Sequence, residues 1–448
     1  MGRIEQVNPK LNSVIHRLYD QASETATDWT SQIQAGTAGD AVFCGVPFVE
    51  GCRAVTGYVS KLDSELVRRQ KASGLVIVGK TNTSEFGAMP TTEPLLYGPT
   101  VNPWNPSLTP AGASGGSAAA VAARVVPMAH GNDGGGSIRT PASCCGIFGL
   151  EPSRGRNPLG PLCGDIGSGI VQEQGLTLTV RDSAALLDAT SGPDIGDPYF
   201  APPKERPFLE EVARDVGCLR IGFLNAVPEG WQDIAEFAPA CADAVRDAAQ
   251  LCDRLGHNVE EISPSALSHP GIADAFRCVF NCYIGQAVAN WERELGKQIR
   301  EDELEPLTWA SYQTARKIPG PEYVVAVEEI QRCTRKIARW YHDGGYDLLL
   351  SPDNADSTNG TRRPAMASGG PRQMADTGQV IRRLHTHAEH DWSTRYVCTV
   401  ALDHWWHANR GALRSAPWRR GYPLQTGITV GAGQALGRED ANGDATRG

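Results

Sequence analysis

Ser137 follows Gly134, Gly135 and Gly136 directly, and upstream of it Gly112-Ala113-Ser114-Gly115-Gly116 forms a second glycine-serine cluster. A serine hydroxyl is a poor nucleophile until a base takes its proton and donors stabilise the oxyanion that attack creates. Glycines carry no side chain, so the N–H groups of Gly134, Gly135 and Gly136, with that of Ser137, can turn toward one oxygen while a carbonyl approaches the backbone closely. The pattern points to acyl transfer through Ser137 with an oxyanion hole at 134–137. A phosphate-cradling loop would need a GxxxxGK[ST] run, and no lysine follows these glycines. A purely structural turn would explain the glycines but not the second cluster.

Such a loop has to be held by elements on both sides. An Ala-rich stretch, 117–126, reads as a small-residue helix able to pack tightly against a sheet. Residues 4–35 carry helical periodicity and read as one or two amphipathic helices. A short apolar run at 43–48 suggests a buried strand, 64–73 a helix, and 75–82 (LVIVGKTN) a β-branched strand ending at a turn. The stretch 89–110 is rich in Pro and Thr and reads as an ordered loop. Further on, 215–225 predicts a strand, 238–255 a helix and 347–350 a late strand, while 193–207 is a proline-rich exposed connection. This alternation is that of a sheet covered by helices.

The chain has 448 residues, is 41% hydrophobic and carries a net charge of −9. That size supports a large core, and the acidic balance argues against nucleic-acid or anionic-membrane partners, which reward excess Lys and Arg. A basic-then-apolar leader and an apolar run of membrane-spanning length are both lacking, so a cytoplasmic enzyme is expected. The twelve cysteines include no CxxC pair. Cys144 and Cys145 suit close packing, and Cys278 and Cys282 read as core rather than as ligands.

Beyond residue 352 the character changes, and Arg-, His- and Trp-rich segments replace the periodic ones. His385, His387, His390, His404 and His407 lie here, but neither HTHAEH nor HWWH gives the i, i+4 or HExxH spacing of a metal site. They read as incidental histidines, and the final dozen residues as disordered. The organisation expected is one domain over 1–352 and an atypical, partly disordered segment over 353–448. The abrupt shift in composition resembles a GC-rich gene read out of frame.

The run TPAGASGGS…GNDGGGSIRTPASCCGIFGLEPSRGR resembles the signature of the amidase signature family, serine hydrolases that cleave carboxamide C–N bonds. The likeness spans roughly residues 4–352. RIEQVNPKLNSVIHRLYDQA resembles the family's N-terminal helix and turn. GVPF resembles the strand before the catalytic lysine, and DSELVRRQKASGLVIVGKTNTSEFG the helix-strand-turn after it. YGPT and SCCGIFGLEPSRGR look closest to bacterial amidases of the 6-aminohexanoate-cyclic-dimer hydrolase type. The resemblance implies an α/β/α sandwich with one large mixed sheet, a small-molecule amide substrate and no metal or organic cofactor. It is compatible with a homodimer. It also implies a Ser–Ser–Lys triad in which Ser137 is the nucleophile, Asp133 orients the loop, and Arg139 pairs with a buried carboxylate.

Position by position, the triad is incomplete. The proton-shuttling serine of the family, reached through a cis peptide, falls on Ala113, which has no hydroxyl; Ser114, the next residue, would serve only if the loop shifted. The lysine expected soon after GVPF is missing, as though a deletion near 48–51 had removed it. Lys61, Lys71 and Lys80 are the nearest lysines left. The reading is therefore an amidase-family hydrolase with impaired turnover. A non-catalytic binding homologue and the amidase subunit of a tRNA-dependent amidotransferase remain as alternatives.

Overall fold

The computed structural model describes residues 1–35, 49–229, 237–353, 398–400 and 427–430. The run at 43–48, with the first residue of the 48–51 deletion point, the five C-terminal histidines and the final dozen residues lie outside the described residues.

The N-terminal stretch holds two helices, α1 (Gly2–Leu11) and α2 (Tyr19–Ala35), as its periodicity suggests, but a strand separates them: β1 (Val14–Arg17). The Asn8 side chain forces this break. Its Oδ1 accepts from the N–H groups of Ser13 (2.9 Å) and Val14 (2.7 Å), and its Nδ2 donates to the Val14 carbonyl (2.8 Å), turning the chain into β1. Helix α3 (Glu65–Ala72) starts at Ser64, whose Oγ accepts from the Val67 N–H, as an N-cap should. The strand expected over 75–82 shortens to β2 (Gly79–Thr81). Its antiparallel partner, β1, is only four residues long and its register shifts between Val14 and His16, so pairing cannot extend further.

The main sheet follows. Helix α4 (Gly115–Ala122) leads to β3 (Met128–Asp133), α5 (Arg139–Cys145), β4 (Phe148–Glu151) and β5 (Gln172–Thr177). Next come α6 (Val180–Thr190), α7 (Phe208–Glu211), β6 (Arg220–Phe223), α8 (Pro239–Arg254) and β7 (Asn258–Glu261). Three helices, α9 (Ile272–Leu295), α10 (Pro306–Ala315) and α11 (Gly320–Gly344), precede β8 (Leu348–Pro352). Two short strands complete the set: β9 (Cys398–Val400) and β10 (Gly427–Val430).

The order across the sheet is β3-β5-β4-β10-β9-β8-β6-β7. It is mixed: β6 is parallel to β7 and β8, and the remaining pairs are antiparallel. With helices covering it, this is the α/β/α architecture expected. The two strands from beyond residue 353 sit in the middle of it, which composition there did not suggest.

Helix α4 explains its own sequence. Gly115, Gly116, Ser117, Ala118, Ala119, Ala120 and Val121 are all buried, and a Cβ on Gly116 would lie 2.4 Å from the Asn82 carbonyl oxygen. Only small residues let the helix come this close to its neighbours.

Candidate active site

Strand β3 pairs with β5 down to Asp133 opposite Gln172, and the chain then enters the loop of Gly134, Gly135, Gly136 and Ser137. Asp133 is fully buried and fixes that loop. Its Oδ1 accepts from the Gly136 N–H (2.6 Å), and its Oδ2 from the N–H groups of Ile138 (3.0 Å) and Arg139 (3.2 Å). The Arg139 guanidinium closes the set, donating to Asp133 through Nε and Nη2 (both 2.9 Å) and pairing with buried Glu151 on β4 at 2.7 Å. Burial opposes the charge of Arg139, but Asp133 and Glu151 hold its pKa above the ordinary value. The sequence reading of both residues holds: Asp133 orients the loop, and Arg139 binds buried carboxylates.

The glycines are sterically required at two points. Gly136 has φ +120°, and a Cβ there would meet Thr140 Oγ1 at 2.6 Å; a Cβ on Gly134 would meet Val171 Cγ2 at 2.9 Å. Gly135 is exposed and Ser137 half-buried at the surface of this loop. Among the described residues, no internal partner takes the N–H groups of Gly134, Gly135 or Ser137.

The second cluster lies against the first. The Ser114 N–H donates to the Ser137 carbonyl at 3.3 Å, and Ser114 Oγ donates to the Asn132 carbonyl at 3.3 Å. The Gly112–Ala113 peptide is cis, the geometry the resemblance assigns to the shuttle position, and Ala113 is wholly buried there. Its methyl group stands 3.8 Å from where a Cβ on Gly87 would be, and Asn132 Oδ1 lies 3.9 Å from that same point.

Thr92, which sequence reasoning passed over, clamps this loop. Its hydroxyl lies 2.9 Å from the Ala111 carbonyl and 3.1 Å from that of Ala113, and it accepts from the Gly115 N–H at 3.0 Å. Nothing in the TTEP stretch marks such a role, because its partners lie some twenty residues on.

The three lysines part company. Lys61 is exposed. Lys71 is buried against Asp63. Lys80, on β2, lies beside Glu50, and burial pulls its pKa down while that carboxylate partly restores it. Its neighbour Thr81 shares a 2.7 Å hydrogen bond with Ser117, one turn along α4 from Ser114. Burial pushes the Glu50 carboxyl up, although the Trp291 indole donates to it at 2.9 Å and Lys80 stands near. Burial and the nearby Glu50, Glu173 and Cys163 also raise the Tyr283 phenol. Among the described residues no cluster of His, Cys, Asp or Glu has metal-binding geometry, and no helix is long and apolar enough to cross a membrane.

The α/β/α scaffold thus carries a carboxylate-braced, glycine-rich serine loop at the end of a sheet strand. The chain belongs to the amidase family: the family model, described as Amidase, matches residues 1–374. It is 34% identical over 411 residues to a 6-aminohexanoate-cyclic-dimer hydrolase of Pseudomonas sp. (strain NK87), covering 84% of this chain and 80% of that protein. A 6-aminohexanoate-cyclic-dimer hydrolase of Paenarthrobacter ureafaciens is 36% identical over 373 residues, covering 79% of this chain and 72% of the relative. The solved structure of 6-aminohexanoate cyclic dimer hydrolase complexed with substrate superposes with a TM-score of 0.76 at 29% identity, covering 97% of this chain and 89% of that one.

Proposed function

We propose that this amide hydrolase works through an acyl-enzyme on Ser137, and that its turnover is depressed by what surrounds the serine. The Asp133 brace carries the reading. It spends the Gly136 N–H on the loop's own shape and leaves those of Gly134, Gly135 and Ser137 to face an oxygen. In the proposed reaction Ser137 Oγ adds to the carboxamide carbon, these donors hold the oxyanion, the C–N bond breaks with a proton passing to the amine, and water releases the acid.

The proton is where the chain falls short. Ala113 offers no hydroxyl, and Ser114 Oγ is committed to the Asn132 carbonyl. Of the three lysines named above, Lys80 lies on the strand whose Thr81 bonds Ser117 of α4. Oxyanion stabilisation and binding alone support about 10³–10⁴-fold acceleration over water, far below a complete triad. The substrate is a small linear or cyclic carboxamide, by analogy with the relatives' names.

The test is hydrolysis of a simple aryl amide alongside labelling by a fluorophosphonate. Slow labelling that disappears in Ser137→Ala, with turnover near background, is the expected result. Rapid hydrolysis abolished by Ser137→Ala would overturn the impairment, and labelling that persists in the variant would overturn the nucleophile.

A further inference from the structure

Helix α9 crosses the front of the site as a beam fixed at both ends. At its start, buried Ala275 and Val279 pack on Ile170 and Val171, the same Val171 that lies against Gly134. Toward its end, Ile284 and Val288 pack with Cys52, Val55 and Phe86. Between these anchors, a row of three aromatic residues follows the helical period: Phe276, Phe280 and Tyr283.

The row has an order. Phe276 and Phe280 are nearly parallel, with centroids 5.9 Å apart and an interplanar angle of 20°. Phe280 and Tyr283 follow at 6.0 Å and 53°, and Tyr283 Oη donates to the Phe86 carbonyl at 2.8 Å, fixing the inner end. The outer end is open: Phe276 remains 37% exposed. Its Cζ lies 3.5 Å from where a Cβ on exposed Gly135 would be, so the ring faces the loop that carries Ser137. Phe276 is thus part-exposed beside the Ser137 loop, while Ala275 and Val279 on the same helix are buried.

We infer that Phe276 and Phe280 determine specificity, forming a flat apolar wall that receives a planar, uncharged substituent of the amide substrate. The inference rests on Ser137 marking the reacting position. An aryl or similarly flat group attached to the carboxamide would lie against the Phe276 ring while its carbonyl reaches the loop beside Gly135. Offset stacking and edge contacts favour rings over small alkyl groups on such a surface. Because α9 is packed at both ends, the wall is preorganised and need not be built on binding.

The experiment uses the full chain carrying Ser137→Ala, so that no ligand is consumed, with ligand-observed NMR titrations of benzamide and acetamide. Benzamide is expected to bind at least tenfold more tightly than acetamide. Phe276→Ala should remove most of that preference and leave acetamide unchanged, and Phe276→Leu, which keeps apolar bulk, should restore part of it. A preference below twofold in the parent protein would overturn the inference. So would a preference unchanged in both Phe276→Ala and Phe280→Ala variants whose circular dichroism matches the parent. Fluorophosphonate labelling of the unsubstituted chain separates the two claims: a preserved benzamide preference without labelling at Ser137 supports the wall and overturns the nucleophile.

Discussion

On the Ser137 side of the site, five hydrogen bonds converge on one buried carboxylate, and the partner arginine is itself held by a second carboxylate. On the Ala113 side the backbone is equally well held, with the Thr92 hydroxyl clamping the turn, yet a methyl group occupies the position from which a proton would be relayed. The two halves of one site thus differ in kind. In the proposed reaction the half that would stabilise charge offers backbone N–H groups, and the side chains of Asp133 and Arg139 hold them in place. The half that moves protons depends on individual functional groups, and a single substitution removes one without disturbing the loop. An amidase-family chain can therefore keep the shape of its site after losing part of the chemistry.

The strongest way to break this contrast is to attack the braced half. Asp133→Ala strips the partner from three N–H groups, those of Gly136, Ile138 and Arg139, and takes two hydrogen bonds from the Arg139 guanidinium; the expected loss is about 3–5 kcal/mol in urea denaturation, or failure to fold. A loss under about 1 kcal/mol would show that the loop does not rely on the brace.

A second measurement probes the other half through pH. Glu93 adjoins Thr92, and burial raises its carboxyl from the ordinary 4.5 to about 7; its Oε1 is buried with no hydrogen-bond partner. The folded chain then holds a proton that the unfolded chain has released between those values. This contribution is complete below about 4.5 and is lost as pH rises through about 7. Urea midpoints of Glu93→Gln should fall less between pH 5 and pH 7.5 than those of the parent. Parallel curves would remove Glu93 from the account.

The smallest structural effect sharpens the comparison most. Ala113→Ser adds one hydroxyl beside Gly87, which has no side chain to meet it; even a Cβ placed there would stand 3.8 Å from the Ala113 methyl group. Stability should therefore change by less than about 1 kcal/mol. Fluorophosphonate labelling of Ser137 should accelerate only modestly, because no lysine stands at the family position. A large acceleration would mean that Lys80 already serves as the base.

Much of the braced half was legible in the sequence because its logic is local. Asp133, the glycines, Ser137 and Arg139 fall within seven consecutive residues, and the Ser64 cap likewise sits beside the helix that it starts. What escaped notice is non-local. Thr92 reaches residues in another loop, and Trp291 reaches Glu50 across most of the chain. Strand β1 hides inside helical periodicity because it is four residues long and obeys the Asn8 turn rather than its own pattern. Strands β9 and β10 are short segments in a region whose composition suggests little regular structure.

The position of those last two strands also bears on how the molecule is made. They stand between β4 and β8, so among the described residues the flank β3-β5-β4 and the flank β8-β6-β7 are joined within the sheet by residues 398–400 and 427–430. On a ribosome, which releases the chain from its N-terminus, both flanks emerge well before the pieces that join them. Each must wait with an open strand edge, a known hazard for wrong pairing, and the Ser137 loop sits on the flank that waits longest.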